Sequence, residues 1–337
     1  MSRSSRRRFL AGAAGGVILG SKSLRANQTD PRPKVFIGKM ADYGGNLADA
    51  LRRALIEIDF TSDRIRGKSV LLKPNLVEPT KKAPHINTHP LMVYAAAQVF
   101  RGWGASEVLV AEGQGHCRDT VYVLEESGLA PMLSDAGLEF VDLNHDDVFR
   151  TLNKGTTTGL REFLLPKTLR RPDLIVSMPK MKLHHWAGVT LSMKNLFGIM
   201  PSICYGWPKN VLHQVGIENS ILDINTTVRP QLAIVDGIIG MEGDGPIMGT
   251  PKHAGVFLVG DNLPAVDATA TRLMGLDPKN IVYLSSPVTS RIGPVAERAI
   301  DQRGEPWRTV ECDFEYPDHP HYQQFRGLAK TPTATDG

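Results

Sequence analysis

The sequence predicts an α/β fold in which a mostly parallel, buried sheet is flanked by helices. Short apolar runs of strand character alternate along the chain with segments whose apolar residues recur at helical spacing. Runs such as EVLVAE at residues 107–112 are apolar nearly throughout, which is typical of strands covered on both faces. With 337 residues, of which 42% are hydrophobic, the chain can form one large domain or two closely packed lobes.

Each element is predicted from its local pattern. The predicted strands cover residues 35–38, 69–73, 107–112, 139–142, 174–176, 231–236 and 255–260. The predicted helices cover residues 46–58, 91–103, 120–127, 130–136, 210–227, 264–274 and 278–284. Thr88 or His89 is expected to cap the second helix. Residues 144–160 are expected to form an irregular connection or an edge hairpin, and residues 237–251 a glycine-rich loop.

The N-terminus has the form of a twin-arginine export signal. Arg6-Arg7 and Phe9-Leu10 precede a short apolar run, and a small-residue cleavage site follows at Ala26. Residues 1–26 are therefore interpreted as a signal peptide, residues 27–327 as a single α/β domain and residues 328–337 as a disordered tail. This predicts a periplasmic or otherwise exported protein that meets the twin-arginine translocation machinery during export. The alternative is a disordered basic tail. The apolar run is too short to span a bilayer, so no stable membrane span is expected after cleavage.

Removing the signal changes the charge of the chain. Residues 1–26 hold six basic and no acidic residues, so the formal net charge falls from +4 to −2. The basic pI of about 8.9 is thus a property of the signal. Nucleic acid is therefore not expected as a partner.

Three cysteines, Cys117, Cys204 and Cys312, leave few options for a metal cluster. None lies in a Cys-x-x-Cys pair, so the pattern does not support an iron–sulfur cluster or a zinc ribbon. An oxidising compartment would permit one disulfide, and the sequence does not choose the pair.

The stretch Asp173–Gly198 is the main candidate for a functional site. An apolar strand leads into Lys180, Lys182 and His184, which share one side of the chain if the segment is extended, with His185 on the other. Open α/β sheets bind ligands beyond their strand ends, so this pattern indicates an anion clamp with an acid or base. The alternative is a solvated basic loop.

Two further pairs place a cation beside an amide. Lys73 and Asn75 follow a strand, and Lys194 and Asn195 fall in or beside a short apolar helix. Lysine and asparagine suit a phosphate or carboxylate ligand. A partly buried lysine needs a partner or a lowered pKa, and either makes it a site candidate. An exposed lysine is the alternative in both cases.

Acidic side chains and one more imidazole are candidates for the same site. They are Glu112, His213, Asp236, Asp244 and Asp267. Carboxylates with histidine could hold a divalent metal, but no metal-binding spacing such as His-Glu-x-x-His occurs. Structural hydrogen bonding is the alternative for most of them.

Taken together, these motifs resemble a known family, the domain of unknown function 362. The similarity covers roughly residues 34–290, in order. Its motifs are Lys73-Pro-Asn75-Leu, Thr88-His89-Pro90, Lys180-x-Lys182-x-His184, Lys194-Asn195-Leu-Phe-Gly198, Asp236-Gly237, Gly245-Pro246-x-x-Gly249 and Ala265-Val266-Asp267-Ala268. No reaction is generally assigned to this family, so the resemblance implies none. Many of its members carry ferredoxin-type cysteine clusters, and this chain departs from them because it has no such cysteines.

The sequence thus predicts an exported enzyme that acts on a small anionic metabolite bearing phosphate or carboxylate. The alternative is a non-catalytic periplasmic binding or maturation protein for a metal or cofactor. The predicted catalytic residues are His184 and Lys194. The predicted substrate-binding residues are Lys73, Asn75, Lys180, Lys182, Asn195 and His213. The predicted metal-binding or orienting residues are Glu112, Asp236, Asp244 and Asp267. The cofactor is not assigned: a divalent metal is compatible with these residues, and an iron–sulfur cluster is not expected.

Overall fold

A ten-stranded sheet organises residues 32–326, the part of the chain that the computed structural model describes. The signal predicted at residues 1–26 and the tail predicted at residues 328–337 lie outside the described residues. The sheet strands are β1 (Lys34–Lys39), β2 (Ser69–Pro74), β3 (Glu107–Glu112), β4 (Glu139–Asp142), β7 (Leu174–Met178), β8 (Lys180–His184), β9 (Gly188–Thr190), β10 (Leu232–Glu242), β11 (Thr250–Gly260) and β12 (Asp301–Gly304). A separate antiparallel pair is formed by β5 (Val148–Leu152) and β6 (Glu162–Pro166).

Ten α-helices accompany these strands in the described residues. The longer ones are α1 (Leu47–Glu57), α2 (Pro90–Gly102), α8 (Ile217–Val228) and α9 (Leu263–Leu273). The shorter ones are α3 (Thr120–Glu126), α4 (Leu129–Asp135), α5 (Ser192–Asn195), α6 (Ser202–Tyr205), α7 (Asn210–Gln214) and α10 (Val282–Ser285). His89 caps α2, where its ring nitrogen accepts a hydrogen bond from the backbone N–H of Leu91.

The sheet is mostly parallel, as the sequence predicts. Its main path runs β12-β1-β11-β10-β7-β2-β3-β4. The β10–β7–β2–β3–β4 half is parallel throughout, whereas β11 is antiparallel to both β1 and β10. The carboxyl ends of β2, β3 and β7 therefore share one edge of the sheet.

Apolar side chains cover both faces of this sheet. Along β2, Leu71 packs into one apolar cluster, and its neighbours Val70 and Leu72 pack into the other. Helices α1 and α2 supply buried residues to the second cluster, and α8 and α9 supply the first. Alternation along a strand sends successive side chains to opposite faces, so both faces must be covered by helices.

A break at Pro179 separates β7 from β8 and redirects the lysine-rich strand. Strand β10 pairs with β7 through its first residues and with β8 farther along, where Asp236 lies opposite Lys180. Strand β8 then turns back through β9, which places Thr190 directly opposite Lys182. Residues 180–184 are extended, and the strand they form carries Lys182 and His184 beyond the end of β7.

Two element predictions were wrong, and glycine explains both. The helix predicted at residues 210–227 is two helices, α7 and α8, because Gly216 adopts a positive φ of 100° between them. Most of the loop predicted at residues 237–251 is strand, and the true loop covers residues 243–249. Glycine at position 240 reflects close packing, since a Cβ there would lie 2.9 Å from the Phe314 ring.

Two further segments also differ in detail from the elements predicted for them. Residues 144–160 contain β5, whose hairpin with β6 stands apart from the main sheet. The helix predicted at residues 278–284 is a short 3₁₀ turn followed by α10.

The three cysteines are unpaired. Within residues 32–326, no helix has both the length and the apolar character needed to cross a membrane.

Candidate functional site

A cavity of about 300 Å³ opens where the sheet edge meets β8, β9 and α5. It lies beyond the ends of β2 and β3, and residues of the 243–249 loop form part of its wall. The predicted site residues that line it are Asn75, Glu112, Lys182, His184, Lys194, Asn195, His213 and Asp244. His185, expected on the other side of the strand, lines it too because it follows the end of β8. Four predicted residues do not line it: Lys73, Lys180, Asp236 and Asp267.

Lys73 lies behind the cavity wall, where it forms an ion pair with Glu112. Both side chains are buried, and the Lys73 ammonium also donates to the Asn195 side-chain oxygen at 3.2 Å. The Asn195 amide in turn donates to the Lys73 carbonyl at 3.1 Å. Burial raises the pKa of Glu112 and lowers the pKa of Lys73, while each charge opposes the shift of the other. Lys73 therefore holds Glu112 and Asn195 in place and does not face a ligand itself.

Gly198 is required by this ion pair. A Cβ at this position would lie 1.9 Å from a Glu112 carboxylate oxygen and 2.6 Å from the Lys73 amine. The Gly198 carbonyl also accepts a hydrogen bond from the Gly113 backbone N–H at 2.8 Å. The glycine that ends the Lys194–Gly198 motif thus serves close packing against β3.

Lys180 and Asp236 form a second buried ion pair, away from the cavity. The Lys180 amine lies 2.6 Å from an Asp236 carboxylate oxygen, and the Tyr43 hydroxyl donates to the other oxygen at 2.7 Å. The backbone N–H of His89 donates to the same carboxylate at 2.9 Å, and its ring stacks on Tyr43. The placement of Lys180 and Asp236 thus corrects the expectation that they contact substrate or metal. Their polar atoms bind each other and the start of α2.

Asp267 anchors the helix that carries Lys194. Its carboxylate accepts hydrogen bonds from the backbone N–H groups of Ser192 and Met193, at 2.7 and 2.9 Å, and from the Ser192 hydroxyl. Burial raises the pKa of Asp267 to about 7, against the effect of these bonds. Asp267 thus positions α5 and does not reach the cavity, which corrects the expectation of a metal-orienting role.

Lys182 and Lys194 face the cavity without an ion-pair partner in the described part of the chain. The Lys182 amine donates to the carbonyls of Ile86 and Pro246, at 2.8 and 3.2 Å. The Lys194 amine lies 4.1 Å from the centre of the Phe197 ring. Burial, with neighbouring ammonium groups, lowers the pKa of Lys194 to about 7 and that of Lys182 well below its usual value. Both amines therefore lack the negative charge that would stabilise their protonated form.

Lys209 is a third lysine in the cavity wall, and it is buried; it was not predicted from the sequence. Its amine donates to the Met200 carbonyl, the Ser202 hydroxyl and the Asn144 side-chain oxygen, at 2.5, 2.9 and 3.1 Å. Burial lowers the pKa of Lys209 to about 7. No strand end or motif precedes it, so nothing in its neighbourhood distinguishes it from a surface lysine.

Two polar side chains in the wall lack hydrogen-bond partners. Thr190 is only 4% exposed, and its hydroxyl oxygen has no partner among the described residues. The side-chain oxygen of Asn75 is likewise unpartnered. An unsatisfied buried polar atom costs roughly 1–3 kcal/mol, so each of these atoms favours a hydrogen bond to a ligand or a water molecule.

The imidazoles of the cavity are fixed in different tautomers. The Nδ1 atom of His184 accepts from the backbone N–H groups of Trp186 and Ala187, at 3.1 and 3.2 Å, so its proton is on Nε2. Nδ1 of His213 instead lies 3.1 Å from the Lys209 carbonyl, an acceptor only, so its Nε2 carries the free lone pair. Burial and nearby lysines lower the pKa of His184 well below its usual value. His184 is therefore a neutral hydrogen-bond donor, and His213 is the better proton acceptor.

The four acidic candidates do not assemble a metal site. Glu112 forms an ion pair with Lys73, and Asp236 forms one with Lys180. Asp267 accepts hydrogen bonds from the start of α5, and Asp244 accepts one from the Tyr322 hydroxyl at 2.6 Å. Among residues 32–326, no group of three histidine, cysteine or acidic side chains lies close enough to hold an ion. The carboxylates are separated because each satisfies a different cation or backbone segment.

Residues 70–272 match the family described as "Domain of unknown function (DUF362)". The chain belongs to this family. The matched range contains β2, β8, α5 and the 243–249 loop, so it covers the whole lysine-lined cavity of this DUF362 protein.

Two known proteins are similar to this DUF362 chain. The thylakoid-associated protein sll1697 of Synechocystis is 26% identical over 284 residues, which cover 81% of this chain and 84% of that protein. The lactate racemase apoprotein of Thermoanaerobacterium thermosaccharolyticum superposes with a TM-score of 0.41 at 15% identity. That superposition covers 66% of this chain and about half (54%) of the racemase.

Removing one member of the Lys73–Glu112 pair should destabilise the protein strongly. Glu112→Gln or Lys73→Met leaves a buried charge unpaired, which we expect to lower the unfolding free energy by about 3–5 kcal/mol. The double variant removes both charges and should recover about 2 kcal/mol or more of the summed loss. Urea unfolding of the four proteins measures this coupling.

The control is the exposed pair Arg150–Glu162, whose disruption should cost less than about 1 kcal/mol. Additive losses at Lys73 and Glu112 would show that the two side chains do not act as a pair.

Proposed function

We propose that this protein binds a small organic molecule bearing phosphate or carboxylate in the lysine-lined cavity, and that it acts on it as an enzyme. One observation carries the proposal. The amines of buried Lys182 and Lys209 and of half-buried Lys194 face or adjoin one cavity. None of the three forms an ion pair with a carboxylate of the described residues. Taking a charge out of water is costly unless it is paired, so an anionic ligand would compensate charge that the protein leaves open.

The polar groups of the wall suit the two parts of such a task. Lys182 and Lys194 would hold the anionic group, and the unpartnered Thr190 hydroxyl would donate a further hydrogen bond to it. The unpartnered Asn75 oxygen is an acceptor and would bind a donor group elsewhere on the ligand. His184 would donate from Nε2. A pKa near 7 is the value best suited to proton transfer at neutral pH, so Lys194 is the preferred acid or base, assisted by His213.

The family match brings no reaction with it, and we assign no resident cofactor. The side chains that line the cavity suit anion binding and proton transfer. Turnover and retention separate the enzyme from a carrier. Release of a changed product supports the enzyme, whereas tight retention of an unchanged anion supports a binding protein.

Inorganic phosphate should raise the melting temperature of the protein, since a ligand that binds only the folded state stabilises it. Lys194→Met should lower phosphate affinity by about tenfold or more, because it removes a charged hydrogen-bond donor. It should leave the ligand-free protein equally stable or more stable, because it also removes an unpaired, partly buried charge. Thermal unfolding with and without phosphate measures both effects.

Lys279→Met is the matched control, because Lys279 is exposed and lies outside the cavity. It should change neither the phosphate affinity nor the stability of the ligand-free protein. Unchanged phosphate protection in the Lys194 variant would place anion binding elsewhere.

Sulfate affinity should fall as the pH rises from about 6 to 8.5. Sulfate keeps its charge over this range, whereas Lys194 and Lys209, with pKa values of about 7, lose theirs. The ligand-free protein should change in the opposite sense and gain stability above pH 7, because unfolded lysines still bind protons there. Calorimetric titration measures the affinity. A pH-independent affinity would mean that these amines are not the ligands.

We also propose that the protein is exported by the twin-arginine pathway, a proposal that rests on residues 1–26 alone. Changing Arg6 and Arg7 to lysine should retain the protein in the cytoplasm, as cell fractionation would detect. Export that is unaffected by the change would exclude this signal.

A further inference from the structure

The cavity has an apolar side that an inorganic anion would leave unused. At about 300 Å³ it lies within the range of roughly 300–1,000 Å³ seen for pockets that bind organic ligands. A phosphate group alone would leave much of this space to water, since one water takes about 30 Å³. Apolar residues that line the cavity include Leu76, Phe197, Ile247 and Met248. A ligand that fills the cavity would therefore need an apolar part to contact these side chains.

The aromatic part of the wall runs from the depth of the cavity to its mouth. The rings of Phe197 and His213 lie 5.5 Å apart, and those of His213 and Trp186 lie 5.3 Å apart. Phe197 is 5% exposed and Trp186 is 51% exposed, so Trp186 stands at the mouth. The Lys194 amine, placed over the Phe197 ring, joins the charged part of the wall to the inner end of this aromatic row.

Met248 supplies a second exposed apolar side chain at the rim. It is 77% exposed although it lines the cavity, and it belongs to the short loop between β10 and β11. Exposed apolar side chains that occur singly need no explanation, but two that border the same cavity indicate a binding surface. The cavity is thus cationic and hydrogen-bonding in its buried part, and its opening carries exposed apolar side chains beside the polar groups of His185 and Asp244.

We propose that the ligand is an amphipathic organic anion with an aromatic or similarly flat apolar body. Its anionic group enters first and meets Lys182, Lys194 and Thr190, while its body lies along the row formed by Phe197, His213 and Trp186. This inference rests on the proposed anion-binding function and adds the chemical class of the ligand. It makes Trp186 a specificity residue with no part in charge recognition.

Two matched pairs of probes test the ligand class by calorimetry at pH 6. Phenyl phosphate is compared with methyl phosphate, and benzoate with acetate, so that the members of each pair share a head group and carry either a phenyl or a methyl group. Within the pair whose head group is recognised, the aromatic member should bind about tenfold more tightly or better, because it buries apolar surface against the wall. The two pairs also distinguish a phosphate head group from a carboxylate.

Trp186→Ala should reduce this preference to about threefold or less. Tyr122→Ala is the control, since Tyr122 is also 51% exposed but lies outside the cavity, and it should leave the preference unchanged. If methyl phosphate binds and phenyl phosphate binds no better, the inference is wrong while the proposed function stands. If neither pair binds, the proposed function fails and the inference fails with it.

Discussion

A shortage of negative charge around the cavity is the constraint on which the site depends. Glu112 is the buried carboxylate of the wall, and it already forms an ion pair with Lys73, which lies behind the wall. Lys182, Lys194 and Lys209 are left with carbonyls, a hydroxyl, an amide and an aromatic ring as neighbours. Such neighbours orient an ammonium group without neutralising it, so burial keeps the pKa values of these lysines low.

The fold maintains this imbalance by satisfying its other buried charges internally. Asp236 forms an ion pair with Lys180 and accepts a hydrogen bond from Tyr43. Asp267 accepts hydrogen bonds from the first backbone N–H groups of α5. Both carboxylates come from segments that pack behind the cavity wall, where they fix the elements that carry the lysines. These two carboxylates thus act on the cavity indirectly, through the positions of β8 and α5. This division explains why residues of one sequence motif have different tasks.

The sequence predicts the sheet, the strand-end location of the site and most of its lining, because these follow from apolar periodicity and from parallel strand ends sharing one edge. It does not separate Lys180 from Lys182, which alternate on the same strand. The difference is that β10 brings Asp236 to Lys180 and brings no acid to Lys182. That pairing joins residues far apart in the chain. Lys209 could not be predicted from the sequence for the same reason, since only the fold brings its amine to Asn144 and Met200.

The direct test of the central claim is an NMR titration of the lysine side chains in the ligand-free protein, with resonances assigned by single lysine substitutions. The ε-carbon of Lys194 should titrate near pH 7, and adding phosphate should move its midpoint upward, since a bound anion stabilises the ammonium form. An ordinary midpoint above pH 10 that phosphate leaves unmoved would contradict the account. It would show that the Lys194 charge is already compensated and that the cavity is not built for an anion.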